Sequence, residues 1–180
     1  MDDKEIQNII RAIIQAATKP VLIEELFQAF KEQNKVETIQ IQEAIERLLK
    51  AEDPVQELKE VAGGYRYQIK QKYVPWILKK SEEEIEADPL PKALLETLAI
   101  IAYSQPISRG EADLIRARNT SWAVFEQLEE RGWIKVVAYG GEHKRTALYG
   151  TTLEFLEYFG LNNIQDLPNL EAMVLEEKML

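Results

Sequence analysis

Residues 92–152 read KALLETLAIIAYSQPISRGEADLIRARNTSWAVFEQLEERGWIKVVAYGGEHKRTALYGTT, and each piece of this stretch can be given a structural job. Over 92–103, Leu94, Leu95, Leu98, Ala99, Ile101 and Ala102 recur at three- and four-residue intervals, which winds an apolar stripe along one helix. Pro106 ends it. Ser108 followed by Glu111 has the spacing of a capping box, so a short second helix is expected over 109–116. Thr120 or Ser121 can cap a third helix with Trp122, Phe125 and Leu128 facing inward and Glu126, Glu129 and Glu130 facing water, until Gly132 stops it. Ile134, Val136 and Ala138 then alternate with Lys135 and Val137, Gly140-Gly141 opens a polar loop, and 146–149 returns as a partner strand. Three helices followed by a hairpin make a winged helix.

The N-terminal half repeats the plan. A first helix over 3–17 places Ile6, Ile9, Ile10, Ile13 and Ile14 on one side, and Lys19-Pro20 breaks it as Pro106 breaks its counterpart. A helix carrying Leu22, Leu26, Phe27 and Phe30, a polar turn around Asn34, and a third helix with Ile41, Ala44, Ile45, Leu48 and Leu49 follow, ending at Asp53-Pro54. A hairpin over 55–61 and 65–69 turns at Gly63-Gly64; its first strand alternates poorly, as a bulge would make it. Residues 73–80 read as one more short helix. The fold class is therefore mainly α (α+β): two tandem winged-helix domains, each of three helices plus a two-stranded hairpin wing. The expected domains are 1–80 and 92–160, joined by an acidic, proline-bearing hinge over 81–91 and followed over 161–180 by an acidic tail, mobile from Asp166.

Composition narrows the function. The chain has 180 residues, 46% hydrophobic, and no cysteine, which excludes disulfides, thiolate metal sites and cysteine nucleophiles. No apolar run approaches the roughly 20 residues that span a bilayer, and a cytoplasmic protein is expected. The net charge of −9 is unevenly placed: residues 1–80 hold 13 basic and 13 acidic side chains, and residues 90–159 hold 8 and 9. The deficit lies in the hinge and the tail. A duplex-binding domain needs a basic stripe to displace phosphate counterions, and neither domain has one. The third helix of the first domain sets Glu43 and Glu46, with Glu52 beyond them, against Arg47 and Lys50, and that of the second carries three glutamates, so neither suits a phosphate-lined groove. Lys144 and Arg145 at the wing tip, with Arg116 and Arg118, are the remaining cations for a weak backbone contact.

Catalysis finds no foothold. Adjacent pairs such as Glu24-Glu25 or Glu129-Glu130 point about 100° apart on a helix and do not converge on one atom. His143 is the only histidine and sits in a loop without a ligand partner; no metal or cofactor is expected, and no enzyme. Protein binding remains. Tyr103, Trp122, Trp133, Tyr139 and Tyr149 give the second domain an aromatic supply, with Trp122 and Phe125 assigned to packing and Tyr103 and Tyr149 open to either role. The isoleucines of the first helix exceed what one small core needs, which makes Ile6, Ile9, Ile10 and Ile13 a candidate dimer surface or, on the other reading, an internal stripe.

Three runs, ALLETLAIIAYSQPISRGEADLIRAR, LEERGWI and ALYGTTLEFLEYFGLNNIQDLP, resemble the second winged-helix domain of the bacterial segregation and condensation protein B (ScpB) family, and ELKEVAGGYRYQIKQKYVPWI resembles the wing of its first. Where the family carries Gly-Arg-Pro before its Tyr-Gly-Thr-Thr motif, only Arg145 remains here, between Lys144 and Thr146. The resemblance implies a non-catalytic subunit for chromosome condensation and partition during cell division: a homodimer joined through its N-terminal domains, gripping the kleisin ScpA and through it SMC, touching DNA only indirectly or weakly, and nucleoid-associated. It also implies the candidate partner-binding residues Tyr103, Gln105, Pro106, Ile107, Arg109, Arg145, Tyr149, Thr151 and Thr152, although the Tyr149–Thr152 turn reads equally as a structural cap. The alternative is a tandem winged-helix DNA-binding transcriptional regulator.

Overall fold

Asp2 opens the first helix by accepting the Glu5 amide at 2.7 Å, and the i, i+4 spacing of Ile6, Ile10 and Ile14 turns one side of α1 (Asp3–Ala16) into the floor of a core. The structure, a computed structural model, describes residues 1–31, 36–81, 90–141 and 145–169 and divides into two units, Met1–Ala87 and Asp88–Leu180. The turn around Asn34, most of the acidic hinge, His143 and Lys144, and the tail from 170 lie outside the described residues.

In the first unit α2 (Ile23–Lys31) buries Leu26 and Phe30, and its Glu25 carboxylate accepts the Leu22 amide at 2.7 Å. The third helix, α3 (Thr38–Lys50), buries Ile41, Ala44, Ile45 and Leu48 against α1. The wing pairs β1 (Gln56–Val61) with β2 (Gly64–Ile69) in unbroken antiparallel register, so the bulge expected in the first strand is absent. Its turn lies one residue earlier than Gly63-Gly64: Ala62 and Gly63 take φ of +51° and +79°, the left-handed pair a two-residue hairpin needs. Gly64 belongs to the strand, where a Cβ would come within 3.0 Å of the Val21 backbone. That approach exists because Val21 exchanges two backbone bonds with Tyr65, 2.9 and 2.8 Å, directly after Pro20 breaks the helical pattern.

Asp53 closes the corner between α3 and β1. Its carboxylate accepts the Val55 and Gln56 amides at 2.9 and 3.0 Å and Arg11 of α1 at 2.8 Å. The Gln56 and Val55 amides, and after them Arg11, hold its carboxyl at about 2. A carboxylate whose folded value lies below its unfolded one stabilises the fold above the ordinary carboxylate pKa and loses that contribution as pH falls toward the folded value. Asp53→Asn, which keeps an acceptor but no charge, is therefore expected to be less stable than the parent at pH 7, the difference closing as pH drops toward about 2. Urea unfolding across that window checks it; a difference that persists at the acid end rules the carboxylate out as the cause.

The first unit ends in α4 (Val74–Ser81), and in the second α5 (Lys92–Ser104) buries Leu94, Leu98, Ile101 and Ala102. The capping box forms: at β3 (Ile107–Ser108) the Ser108 amide donates to Glu111 at 2.8 Å and its hydroxyl receives the Glu111 amide at 3.3 Å, opening α6 (Arg109–Arg116). After α7 (Trp122–Glu130), strands β4 (Ile134–Gly140) and β5 (Thr146–Thr151) make the wing, with a register shift at Val137. β3 joins β5 as a third strand, Ile107 opposite Tyr149. Val21 opposite Tyr65 is the same contact in the first unit, each one residue past a proline, which gives the tandem plan a geometric equivalence.

Three expectations need correction here. Trp122 is 48% exposed at the first turn of α7, while Phe125 and Leu128 are buried in the core from that helix, with Val124 packed against it. Ile6 and Ile10 are 1% and 0% exposed, so the α1 stripe is internal and these two have no surface to offer a second copy; Ile9 and Ile13 are half-buried against the same core. Finally, the chain from 161 to 169 is folded. After α8 (Leu153–Phe159) and the left-handed Gly160, Leu161, Ile164 and Leu167 pack on the second core.

Candidate partner-binding surface

The two runs singled out from the sequence meet across the edge of the second sheet. Gln105 joins them: its Oε1 accepts the Thr151 amide at 2.7 Å and the Thr151 hydroxyl at 3.1 Å, while its Nε2 donates to the Ala102 carbonyl at 3.1 Å. Gly150 must be bare, since a Cβ there would stand 2.9 Å from Gln105 Oε1 and 3.0 Å from Val137. Thr152 caps α8, receiving the Phe155 amide at 3.1 Å and donating to the Gly132 carbonyl. Tyr149, one of the candidate contacts, is 4% exposed and packs its ring at 60° to that of Phe125 with centroids 5.0 Å apart, and Ile107 is 4% exposed opposite it. Of the motif residues, then, Ile107 and Tyr149 are buried scaffold, and the expectation of them as surface contacts is corrected; half-buried Thr152 takes the cap role that the turn also allows, and Gln105 and Thr151 hold the corner in shape.

What this scaffold presents is the corner between α5 and α6. On one side a cavity of about 410 Å³ is lined by Tyr103, Gln105, Leu167 and Pro168, with the Tyr103 hydroxyl donating to the Pro168 carbonyl at 2.7 Å. On the other, a cavity of about 390 Å³ is lined by Pro106, Ile107, Glu111, Leu114 and Ile115. Leu114 and Ile115 are 80% and 58% exposed, because α6 turns only Ala112 into the core. Sequence reasoning passed them over. The signal was present: two large apolar residues side by side near the end of a short helix point about 100° apart, more than the narrow stripe of a helix that offers its core only Ala112 can hold.

The charges around this corner are committed. Arg109 Nη2 donates to the Thr120 carbonyl at 2.7 Å and its guanidinium lies 5.3 Å over the Trp122 ring, so it braces α6 against α7. Arg116, considered for phosphate contact, is 9% exposed and gives Nε and Nη2 to Glu96 at 3.0 and 2.8 Å. That bond, foremost, keeps the Glu96 carboxyl below its ordinary range, as the Ser108 hydroxyl does for Glu111 and Thr120 for Asp113. Arg145 is exposed at the wing tip, six residues of extended strand or roughly 20 Å from Thr151, and does not join the corner. Glu126, Glu129 and Glu130 are exposed on α7. Among the described residues no cluster of three or more His, Asp or Glu stands ready for a metal, and no helix is long and apolar enough to cross a membrane.

A family model described as segregation and condensation complex subunit ScpB matches residues 8–170. The segregation and condensation protein B homolog of Coxiella burnetii is 39% identical over 174 residues, 95% of this chain and 81% of that protein. The segregation and condensation protein B of Geobacillus kaustophilus is 37% identical over 162 residues, 90% and 74%. The crystal structure of ScpB from Mycobacterium tuberculosis aligns over 89% of this chain and 98% of that one, with 26% identity and a TM-score of 0.41. A family model spanning nearly the whole chain, together with two relatives well above 30% identity, places the chain in the ScpB family of segregation and condensation complex subunits.

Proposed function

We propose that this chain is a non-catalytic adaptor of the bacterial chromosome, a homodimer that holds the kleisin ScpA on its second unit and so works with SMC in condensation and partition beside the nucleoid. The observation that carries the reading is the α5–α6 corner: exposed Leu114 and Ile115 beside Pro106, two cavities flanking the Ser104–Pro106 backbone, and the nearby Arg109 and Arg116 already engaged within the fold. A surface that is apolar at its centre and internally neutralised at its rim suits an extended polypeptide with apolar anchors. The glutamates of α3 and α7 speak against nucleic acid on either third helix.

The test is calorimetric titration of the full chain with a central fragment of ScpA. Leu114→Asp is expected to weaken binding by on the order of a hundredfold, Arg145→Glu to leave it nearly unchanged, and raised salt to matter little. Retardation of bare duplex DNA with a steep salt dependence, and no uptake of the fragment, is the result that would sink the adaptor reading in favour of a DNA-binding regulator.

A further inference from the structure

The three-residue spacing that lays 161–169 on the second core continues past Asn169. Leu161, Ile164 and Leu167 pack there, and Leu170 and Met173 extend the same period until Glu176 breaks it. An apolar side chain at every third position marks a chain that keeps one side against a wall. The residues that follow, LEAMVLEEKML at 170–180, therefore need more of that wall.

The wall at hand is the α5–α6 corner. Pro168 and Asn169 themselves line its first cavity, of about 410 Å³, and the Tyr103 hydroxyl holds the Pro168 carbonyl at 2.7 Å, so the chain hands Leu170 to the mouth of that hollow. Beyond the Ser104–Pro106 backbone lies the second cavity, of about 390 Å³, with the exposed Leu114 and Ile115 on its wall. Met173 stands four residues past Asn169, a reach of up to about 13 Å in extended chain, which carries it over a single backbone to that second side. Arg118, exposed three residues past Ile115, offers a cation to Glu176 or Glu177.

We propose that residues 170–180 fold back on the α5–α6 corner of their own unit, Leu170 entering the cavity beside Tyr103 and Met173 covering Leu114 and Ile115, and that ScpA must displace them to bind. The docking stands on the spacing and the exit of the chain at Asn169; the competition also rests on the reading of this corner as the ScpA surface. Tethering favours this occupant over a second copy. A short linker confers an effective concentration of about 1 mM, so even an intrinsic dissociation constant of about 0.1 mM keeps the corner about nine-tenths covered and weakens a competitor about tenfold. Composition turns the segment away from anionic partners: it carries Glu171, Glu176 and Glu177 against Lys178 alone, a balance that an anionic lipid surface or a phosphate backbone repels. A covered corner also keeps Leu114 and Ile115 from indiscriminate association while ScpA is absent.

NMR of the full chain tests the docking, and titration with the central ScpA fragment tests the competition. Leu170→Asp with Met173→Asp is expected to shift the methyl resonances of Leu114 and Ile115 while leaving those of Ile6 and Ile10, in the other core, in place. The same double substitution is expected to tighten binding of the ScpA fragment about tenfold, as is ending the chain after Asn169. The peptide 170–180, added to that shortened chain, is expected to bring the parent resonances back. Ile115→Cys with Met173→Cys, in a chain that has no other cysteine, is expected to close a bond within one chain on oxidation. Resonances of Leu114 and Ile115 indifferent to the tail, with no bond formed, overturn the docking whatever ScpA does. Resonances that move while ScpA affinity stays constant overturn the competition alone; if Leu114→Asp in the shortened chain also fails to weaken the fragment, the corner is not the ScpA surface and the docking still stands. A covalent dimer in place of the internal bond gives the corner to the tail of a second copy and overturns the intramolecular form.

Discussion

Phe125→Ala is expected to cost the second unit about 3–5 kcal/mol, enough to unfold a small domain near physiological temperature. Phe125 is wholly buried, and its ring faces Tyr149 at 5.0 Å, so one truncation removes the contact between α7 and the central strand of the sheet. The neighbours cannot collapse into the space. Leu98 and Ile101 are held by α5, Leu128 by α7 itself and Tyr149 by its pairing with Ile107 on one side and Val136 on the other. The loss therefore combines transfer of an aromatic side chain with an unfilled cavity. Two-dimensional NMR of the full chain, read against temperature, should show resonances from 92–169 collapsing early while those of Ile6, Ile10 and Ile41, in the other core, persist. A shift of under about 1 kcal/mol, the effect of an ordinary surface change, would mean that Phe125 is not the keystone of that core.

The same pair of residues shows what the sequence made legible. Phe125 and Leu128 stand three apart on a short amphipathic helix, and the caps at Ser108 and Thr152 were written in residue type and spacing; these are local signals, and element order followed from them. Features carried by contacts distant along the chain were hidden. A strand of two residues, Ile107 and Ser108, has no period to detect, and the single Val21 bridge has less. Ala62 at φ +51° bears no turn signature, so the adjacent glycine pair drew the turn one residue too far. Hydrophobicity alone assigns Trp122 to the core, whereas at the first position of α7 its ring finds the Arg109 guanidinium instead. Over 161–169 the polar run of Asn162, Asn163, Gln165 and Asp166 obscures Leu161, Ile164 and Leu167, whose three-residue spacing is the mark of a segment lying against a core. The candidate site divides along the same line: motif residues were found, but which of them face outward depends on a Gln105–Thr151 bond 46 residues apart in sequence.

Gly150→Val is expected to cost about 2–4 kcal/mol and to disable the α5–α6 corner as well, through that same bond. Gly150 is buried in β5, between the Gln105 amide and Val137. A branched side chain there must displace Gln105 Oε1, which leaves the Thr151 amide without its 2.7 Å acceptor, and must also push against Val137 at the register shift of β4. Gln105 is the residue between Ser104 and Pro106, so its displacement moves the backbone that separates the two cavities; affinity for the ScpA fragment should fall together with stability. A double-mutant cycle separates this from simple overpacking. In a Gln105→Ala background the Gly150→Ala change meets one obstacle instead of two, so its cost should be smaller than in the parent, with a coupling of about 1 kcal/mol. Strictly additive costs would show that Gln105 and Gly150 act apart, and that the corner keeps its shape without the bond between α5 and β5.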